Sequence, residues 1–162
     1  MARELWLLRH GDAEPGDGKP DEERRLTDRG ERQATAAGAA LEAIGAEFAL
    51  ALTSPRVRAV QTAQLACRRL GLEPVEHPPL SDGFGRDDAL VVLEGQDDDA
   101  RILVVGHEPD FSQTVYELTG GRVDLKKGGL AAVSVRSGEG ELLLLLRPRE
   151  LAGLAGAGGG DI

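Results

Sequence analysis

Short apolar runs alternate with amphipathic stretches along this chain, the pattern of a parallel sheet covered by helices. Residues 4–8 (ELWLL) predict a first strand, uninterrupted and apolar as strands buried on both faces are. A Gly/Pro/Asp loop at 16–19 leads to a helix that Thr27 can cap, with Gly30 in its first turn and alanines through 34–40 favouring its continuation. Residues 48–53 predict a second strand. Ser54-Pro55 ends it and starts a helix that runs to about Leu70 and stops at Gly71. A short third strand at 75–77 precedes a loop at 78–85, a helix through 89–93 and an acidic, solvated turn at 97–99. The β-branched run 102–105 is the clearest strand; Gly106 to Pro109 ends it, and a helix follows through 111–118. Residues 131–135 and 142–146 flank a Gly-rich turn and read as a β-hairpin, which puts an antiparallel edge on the sheet. The expected fold is α/β with a mostly parallel sheet: one domain over residues 1–150, then a Gly/Ala-rich tail at 151–162 that should fray.

Length and composition fit this reading and narrow the function. The chain has 162 residues, 41% hydrophobic and 29% charged, enough to bury a core. Its net charge of −9, with only three lysines, argues against a nucleic-acid footprint. Phosphate recognition must then be local, in a few arginines. A single cysteine, Cys67, can form neither an internal disulfide nor a cysteine metal cluster; among Ala63, Ala66 and Leu70 it reads as packing. The opening MARELWLLRHGD is not a signal peptide, and the longest apolar run, 142–146, is far short of the roughly 20 residues that span a bilayer. The expectation is a cytoplasmic protein with neither membrane nor nucleic-acid partners.

Three segments stand at the C-terminal ends of predicted strands, where open α/β sheets bind ligands: Arg9-His10-Gly11-Asp12, Ser54-Pro55 with Arg58, and Gly106-His107. If the strands are parallel neighbours, two histidines and two arginines converge. Neutral imidazole is a nucleophile toward phosphorus, and guanidinium matches phosphate oxygens bidentately. A second, protonated histidine would add charge against the transferring phosphoryl group, and Gly11 lets the backbone turn close beside the nucleophile.

The segments LLRHGDAE, TSPRVRAVQTA and VVGHEPD together resemble the signature of the histidine phosphatase superfamily, in its order and rough spacing. The short length and the RHGDA form look most like the bacterial phosphohistidine phosphatases of the SixA type. The resemblance implies a three-layer α/β/α sandwich of the phosphoglycerate mutase-like kind. It implies His10 as the phosphorylated nucleophile, with Arg9, Arg58 and His107 holding the phosphate and Gly11 and Asp12 beside them. Many members also carry a Glu as general acid after the third strand. Here that region reads LSDGFG at 80–85, so Asp82 is the nearest equivalent; Asp12 and Glu108, beside the histidines, are rivals.

Blander readings stand beside several of these residues. Asp12 and Asp82 could cap turns, His77 reads as an exposed strand end, and Arg56 as a solvated neighbour of Arg58. Lys126-Lys127 reads either as a basic hairpin entry or as a border of the pocket. The implied activity is a phosphatase acting on a phosphorylated protein histidine or on a small phosphorylated molecule, with no metal or other cofactor. A phosphoglycerate-mutase-like enzyme usually has more chain to close over its substrate. A non-catalytic phosphate-binding module would not be expected to keep Arg9, His10, Arg58 and His107 intact. A two-histidine metal hydrolase is disfavoured because a guanidinium beside each ligand repels a cation.

Overall fold

A computed structural model describes residues 2–157. Its strands are β1 (Arg3–Arg9), β2 (Leu50–Thr53), β3 (Val75–Glu76), β4 (Arg101–Gly106), β5 (Leu130–Arg136) and β6 (Glu139–Leu146). The α-helices are α1 (Asp28–Ala43), α2 (Val57–Cys67), α3 (Arg86–Glu94), α4 (Asp110–Thr119) and α5 (Pro148–Ala157). The strands form one sheet in the order β3-β2-β4-β1-β5-β6. The pairs β3/β2, β2/β4 and β4/β1 are parallel, whereas β5 runs against β1 and β6 against β5. This is the mostly parallel sheet with an antiparallel edge that the pattern predicts.

Both faces are covered, which is why β1 and β4 carry no polar alternation. Leu5 and Leu7 of β1 join Ile102, Val104, Phe111 and Val115 on one side, under α3 and α4. Trp6 and Leu8 join Leu103, Val105, Leu41 and Ala63 on the other, under α1 and α2. Thr27 caps α1 as read, its Oγ1 accepting the Gly30 N–H at 3.1 Å. The Gly71 stop also holds: α2 tightens into a single 3-10 turn over Arg68–Leu70, and Gly71 adopts the left-handed conformation at φ 66°.

The fraying tail is corrected over most of its length. Through Ala157 the segment is helix α5, and Leu151 and Ala155 are buried in the core shared with α1. Pro148 suits a first helical turn, and Glu150 accepts the Arg147 N–H at 2.8 Å. Leu151, Leu154 and Ala155, spaced i, i+3, i+4, give the helix a buried stripe that its Gly/Ala content masks. Residues 158–162 of the expected tail lie outside the described residues. Among the described residues no helix is long and apolar enough to cross a membrane.

Candidate active site

Parallel pairing brings the three motif segments together. Arg9 pairs with Gly106 and Thr53 with Val105, so β1, β2 and β4 end at one level. The ladder continues just past them: the His10 N–H reaches the Gly106 carbonyl at 3.0 Å and the Ser54 N–H reaches Val105 at 2.9 Å. The His10 and His107 rings then face each other, centroids 5.2 Å apart and planes at 55°.

His10 is 6% exposed. Its Nδ1 lies 2.7 Å from the Gly11 carbonyl, an atom that only accepts, so Nδ1 carries the proton. Nε2 is left as the unprotonated nitrogen, its lone pair accepting a long hydrogen bond from Arg58 Nε at 3.4 Å. Burial pushes the His10 pKa down to about 4; the Gly11 carbonyl opposes this, and Arg58, Arg9 and Arg24 reinforce it. The ring is therefore neutral near pH 7, the form a nucleophile needs.

His107 places Nε2 2.7 Å from Ser54 Oγ, while its Nδ1 is buried without a hydrogen-bond partner. By the protein's own groups alone His107 is not held in the protonated form expected opposite a phosphoryl group. Burial first, then His10, Arg58 and Arg56, lower its pKa to about 3. A phosphoryl dianion beside it would act in the opposite sense and favour protonation.

Arg58 enters from the first turn of α2 and is 4% exposed. Besides His10 it meets Asp21, donating from Nη1 to the main-chain carbonyl at 2.8 Å and from Nη2 to Oδ2 at 3.1 Å. The same carboxylate accepts from Arg56 at 2.9 Å and Arg24 at 3.1 Å. Partial burial works to raise the Asp21 pKa. Its hydrogen bond and charge contact with Arg58, with Arg24 adding to them, outweigh burial and hold it below the ordinary carboxylate range. Arg56 is thus an ion-pair partner and no mere solvated neighbour. Asp21 and Arg24 were not singled out from sequence; only their i, i+3 spacing hinted at a pair.

Arg9 is half-buried, with Nη1 donating to the Leu125 carbonyl at 2.9 Å and a buried, unpartnered Nε. The turn after it is clamped. Gly11 donates to Thr62 Oγ1 at 3.1 Å and Asp12 N to Gln33 Oε1 at 2.8 Å, so neither main-chain N–H is free for a ligand. Thr62 in turn donates to the Arg58 carbonyl at 2.8 Å, which ties the His10 turn to the helix carrying Arg58. Thr62 lies within the TSPRVRAVQTA segment but had no role assigned from it, and Gln33 carried no signal in sequence beyond its helical position.

Besides Asp21, three carboxyls at or near this site are differently placed. Asp12 accepts from Thr27 Oγ1 at 2.8 Å and lies 3.6 Å from Lys127 Nζ. The Thr27 bond chiefly holds its pKa low. Glu108 accepts from Ser112 N at 2.7 Å and from the Ser112 hydroxyl, capping α4. Asp82 is exposed, and among the described residues its side chain makes no hydrogen bond or ion pair. Its neighbour Ser81 accepts from Arg56 Nε at 3.3 Å, so the 80–85 loop borders the arginine side of the site. Among the described residues no group of three or more His, Cys, Asp and Glu could hold a metal ion.

The two buried neutral histidines predict a stability that falls in mild acid. Both titrate near 6.5 when unfolded but near 4 and 3 in the fold. Below 6.5 the unfolded chain binds more protons, so unfolding is favoured as pH drops toward 4 and the loss levels off below 3. Urea unfolding at pH 5.5 should give about 2–3 kcal/mol less stability than at pH 7.5. Equal stability at both values would mean that the rings titrate normally.

The family model described as histidine phosphatase superfamily (branch 1) matches residues 5–100. An uncharacterized protein of Picosynechococcus sp. strain PCC 7002 is 34% identical, covering 91% of this chain and 98% of its own. The structure of the protein histidine phosphatase SixA complexed with tungstate superposes with a TM-score of 0.82 at 26% identity, covering 91% of this chain and 99% of that one. The α-ribazole phosphatase of Shigella flexneri has the same fold, with a TM-score of 0.75 at 20% identity over 90% of this chain and 96% of that one.

Proposed function

Because this chain belongs to the histidine phosphatase superfamily, we propose that it is a phosphohistidine phosphatase working through a covalent phosphohistidine on His10. The Nε2 lone pair attacks phosphorus in line; the P–Nε2 bond forms as the substrate's P–N bond breaks, and the leaving imidazole takes up a proton. Water then attacks the phosphorylated His10, releasing inorganic phosphate and restoring the free ring. Arg9, Arg58 and His107 would stabilise the three equatorial oxygens. Gly11 and Asp12 serve by position, holding the turn that aims His10. Asp21 orients Arg58 and must share or yield that guanidinium when a phosphoryl group arrives.

One observation supports phosphohistidine over a phosphate ester: the state of the nearby carboxyls. Asp12 and Asp21 are held ionised, Glu108 caps a helix and Asp82 faces solvent. An ester leaves as an alkoxide and needs a positioned acid, whereas a protonated imidazole leaves unaided. The tungstate bound by the similar SixA is itself a tetrahedral oxyanion like phosphate. A phosphomonoesterase on a small metabolite is the second reading; the Asp82 loop beside Arg56 is what favours it.

The discriminating experiment compares a phosphohistidine peptide with an alkyl phosphate such as glycerol 2-phosphate, whose leaving group is an alkoxide, using wild type and Asp82→Asn. The variant should lose roughly tenfold or more on the ester and less than about threefold on phosphohistidine. Large, equal losses on both would make Asp82 an obligatory acid and count against the phosphohistidine assignment.

A further inference from the structure

Beyond the reacting centre, Arg9 also opens onto a cleft of about 570 Å³ lined by Arg29, Lys126, Lys127, Arg147 and Arg149. A second cleft of about 360 Å³ adjoins it, sharing Arg29, Gln33, Pro148 and Arg149 and adding Arg32. Together they make a trough that leaves the site at Arg9 and crosses α1 and α5. The chain carries 19 Lys and Arg against 28 Asp and Glu, yet Asp12 is the only carboxylate in either lining. Asp28 and Glu31, on the same helix as Arg29 and Arg32, line neither cleft. Lys126 and Arg147 are offset by Asp124 and Glu150 at 2.6 and 2.8 Å. Arg29, Arg32 and Arg149 are exposed and, among the described residues, make no ion pair or side-chain hydrogen bond. A local positive field on an acidic protein steers anionic partners to one face.

We propose that this trough docks an acidic surface of the phosphorylated protein substrate, flanking its phosphohistidine; the inference rests on the phosphohistidine reading. The cations are spread over two helices and do not converge on a point. A single small anion is held by a few converging donors in an enclosed pocket, while an extended acidic segment meets a spread row of this kind. The trough begins at Arg9, so a chain whose phosphohistidine reaches His10 lays its neighbouring residues along it. Charge pairing across such an exposed face acts mainly on encounter and KM, is weakened by salt, and leaves the chemical step alone.

The test uses two phosphohistidine peptides, flanked by Asp/Glu or by Asn/Gln, with wild type and the Arg29→Glu/Arg149→Glu double variant. At low salt the acidic peptide should show a KM about tenfold lower than the neutral one, at equal kcat. That gap should vanish in the double variant and in 0.5–1 M salt (roughly the screening regime of short Debye lengths). Equal KM values for the two peptides with wild type would overturn the trough while leaving the phosphohistidine reading intact. If neither peptide is hydrolysed, that reading fails instead, and fluorescence anisotropy with the unphosphorylated acidic peptide decides the trough alone. Binding to wild type that the double variant loses supports it. Absence of binding, or binding of inorganic tripolyphosphate in place of the peptide, overturns it.

Discussion

Replacing His10 by Ala removes turnover and the trapped phosphoenzyme together, with kcat falling by roughly 10⁴-fold or more. The expectation follows from the geometry of one atom. On His10 the Gly11 carbonyl fixes the proton on Nδ1, which leaves the lone pair on Nε2, where it meets only a long 3.4 Å contact from Arg58 Nε. His107 stands 5.2 Å away but has Nε2 engaged with Ser54. Rapid quenching of wild type with labelled substrate should yield an acid-labile, alkali-stable phosphate on residue 10. The variant should keep its fold, since the turn is held by Thr62, Gln33 and Gly106 through main-chain bonds that do not involve the imidazole. Its stability should also depend less on pH between 6.5 and 4, because one of the two depressed histidines is gone. Hydrolysis at the normal rate by His10→Ala would end the covalent mechanism.

Gly30→Ala should be the most damaging substitution that touches no substrate group. In an ordinary exposed helix this change gains about 1 kcal/mol. Here the sign reverses, because a Cβ on Gly30 would sit 2.0 Å from the Asp12 carbonyl oxygen and 2.9 Å from its carbon. The facing backbone is close in turn, a Cβ on Gly11 falling 2.6 Å from the Gly30 oxygen. Asp12 cannot simply retreat. Its N–H is bonded to Gln33 and its carbonyl accepts from Thr27 N at 3.0 Å. Relief requires α1 and the His10 turn to separate, which should cost about 3 kcal/mol or more. For a domain of this size that lowers Tm by roughly 6–12 °C. A displaced nucleophile should also lower kcat by about a hundredfold, since ångström-scale misplacement costs that much. Gly153→Ala is the control: it is an exposed helical glycine with nothing within 4 Å, and should be neutral or slightly stabilising. A Gly30→Ala protein as stable and active as wild type would mean that the turn is not held as described.

Local chemistry carried much of this molecule in its sequence. The β-branched run of β4 and the unbroken apolar run of β1 announce strands buried on both faces, because covering both sides leaves no polar alternation. Thr27 announces a cap because a hydroxyl there can satisfy a free N–H one turn on. Arg9-His10, Arg58 and His107 were legible because each follows a strand, and parallel strands end together. The resemblance of the three segments to a known family pointed the same way.

What tertiary structure decided are quantities that depend on distant neighbours. His107 in isolation titrates near neutrality, yet enclosure by β1, β2 and β4 beside Arg56 and Arg58 pushes its pKa down to about 3, since desolvation acts only once the fold excludes water. Asp21 reads as a solvated acid in an Asp-Glu-Glu run, yet it meets Arg58 across 37 positions. The tail from Leu151 reads as flexible from its Gly and Ala, yet packing against α1 supplies burial that its weak propensity does not. Lys126 and Lys127 leave their role open until α1 and α5 bring Arg29 and Arg149 beside them. Strand and cap preferences are properties of a few consecutive residues; charge state, ion pairing and the burial of a weak helix are set by whatever the fold places within a few ångströms.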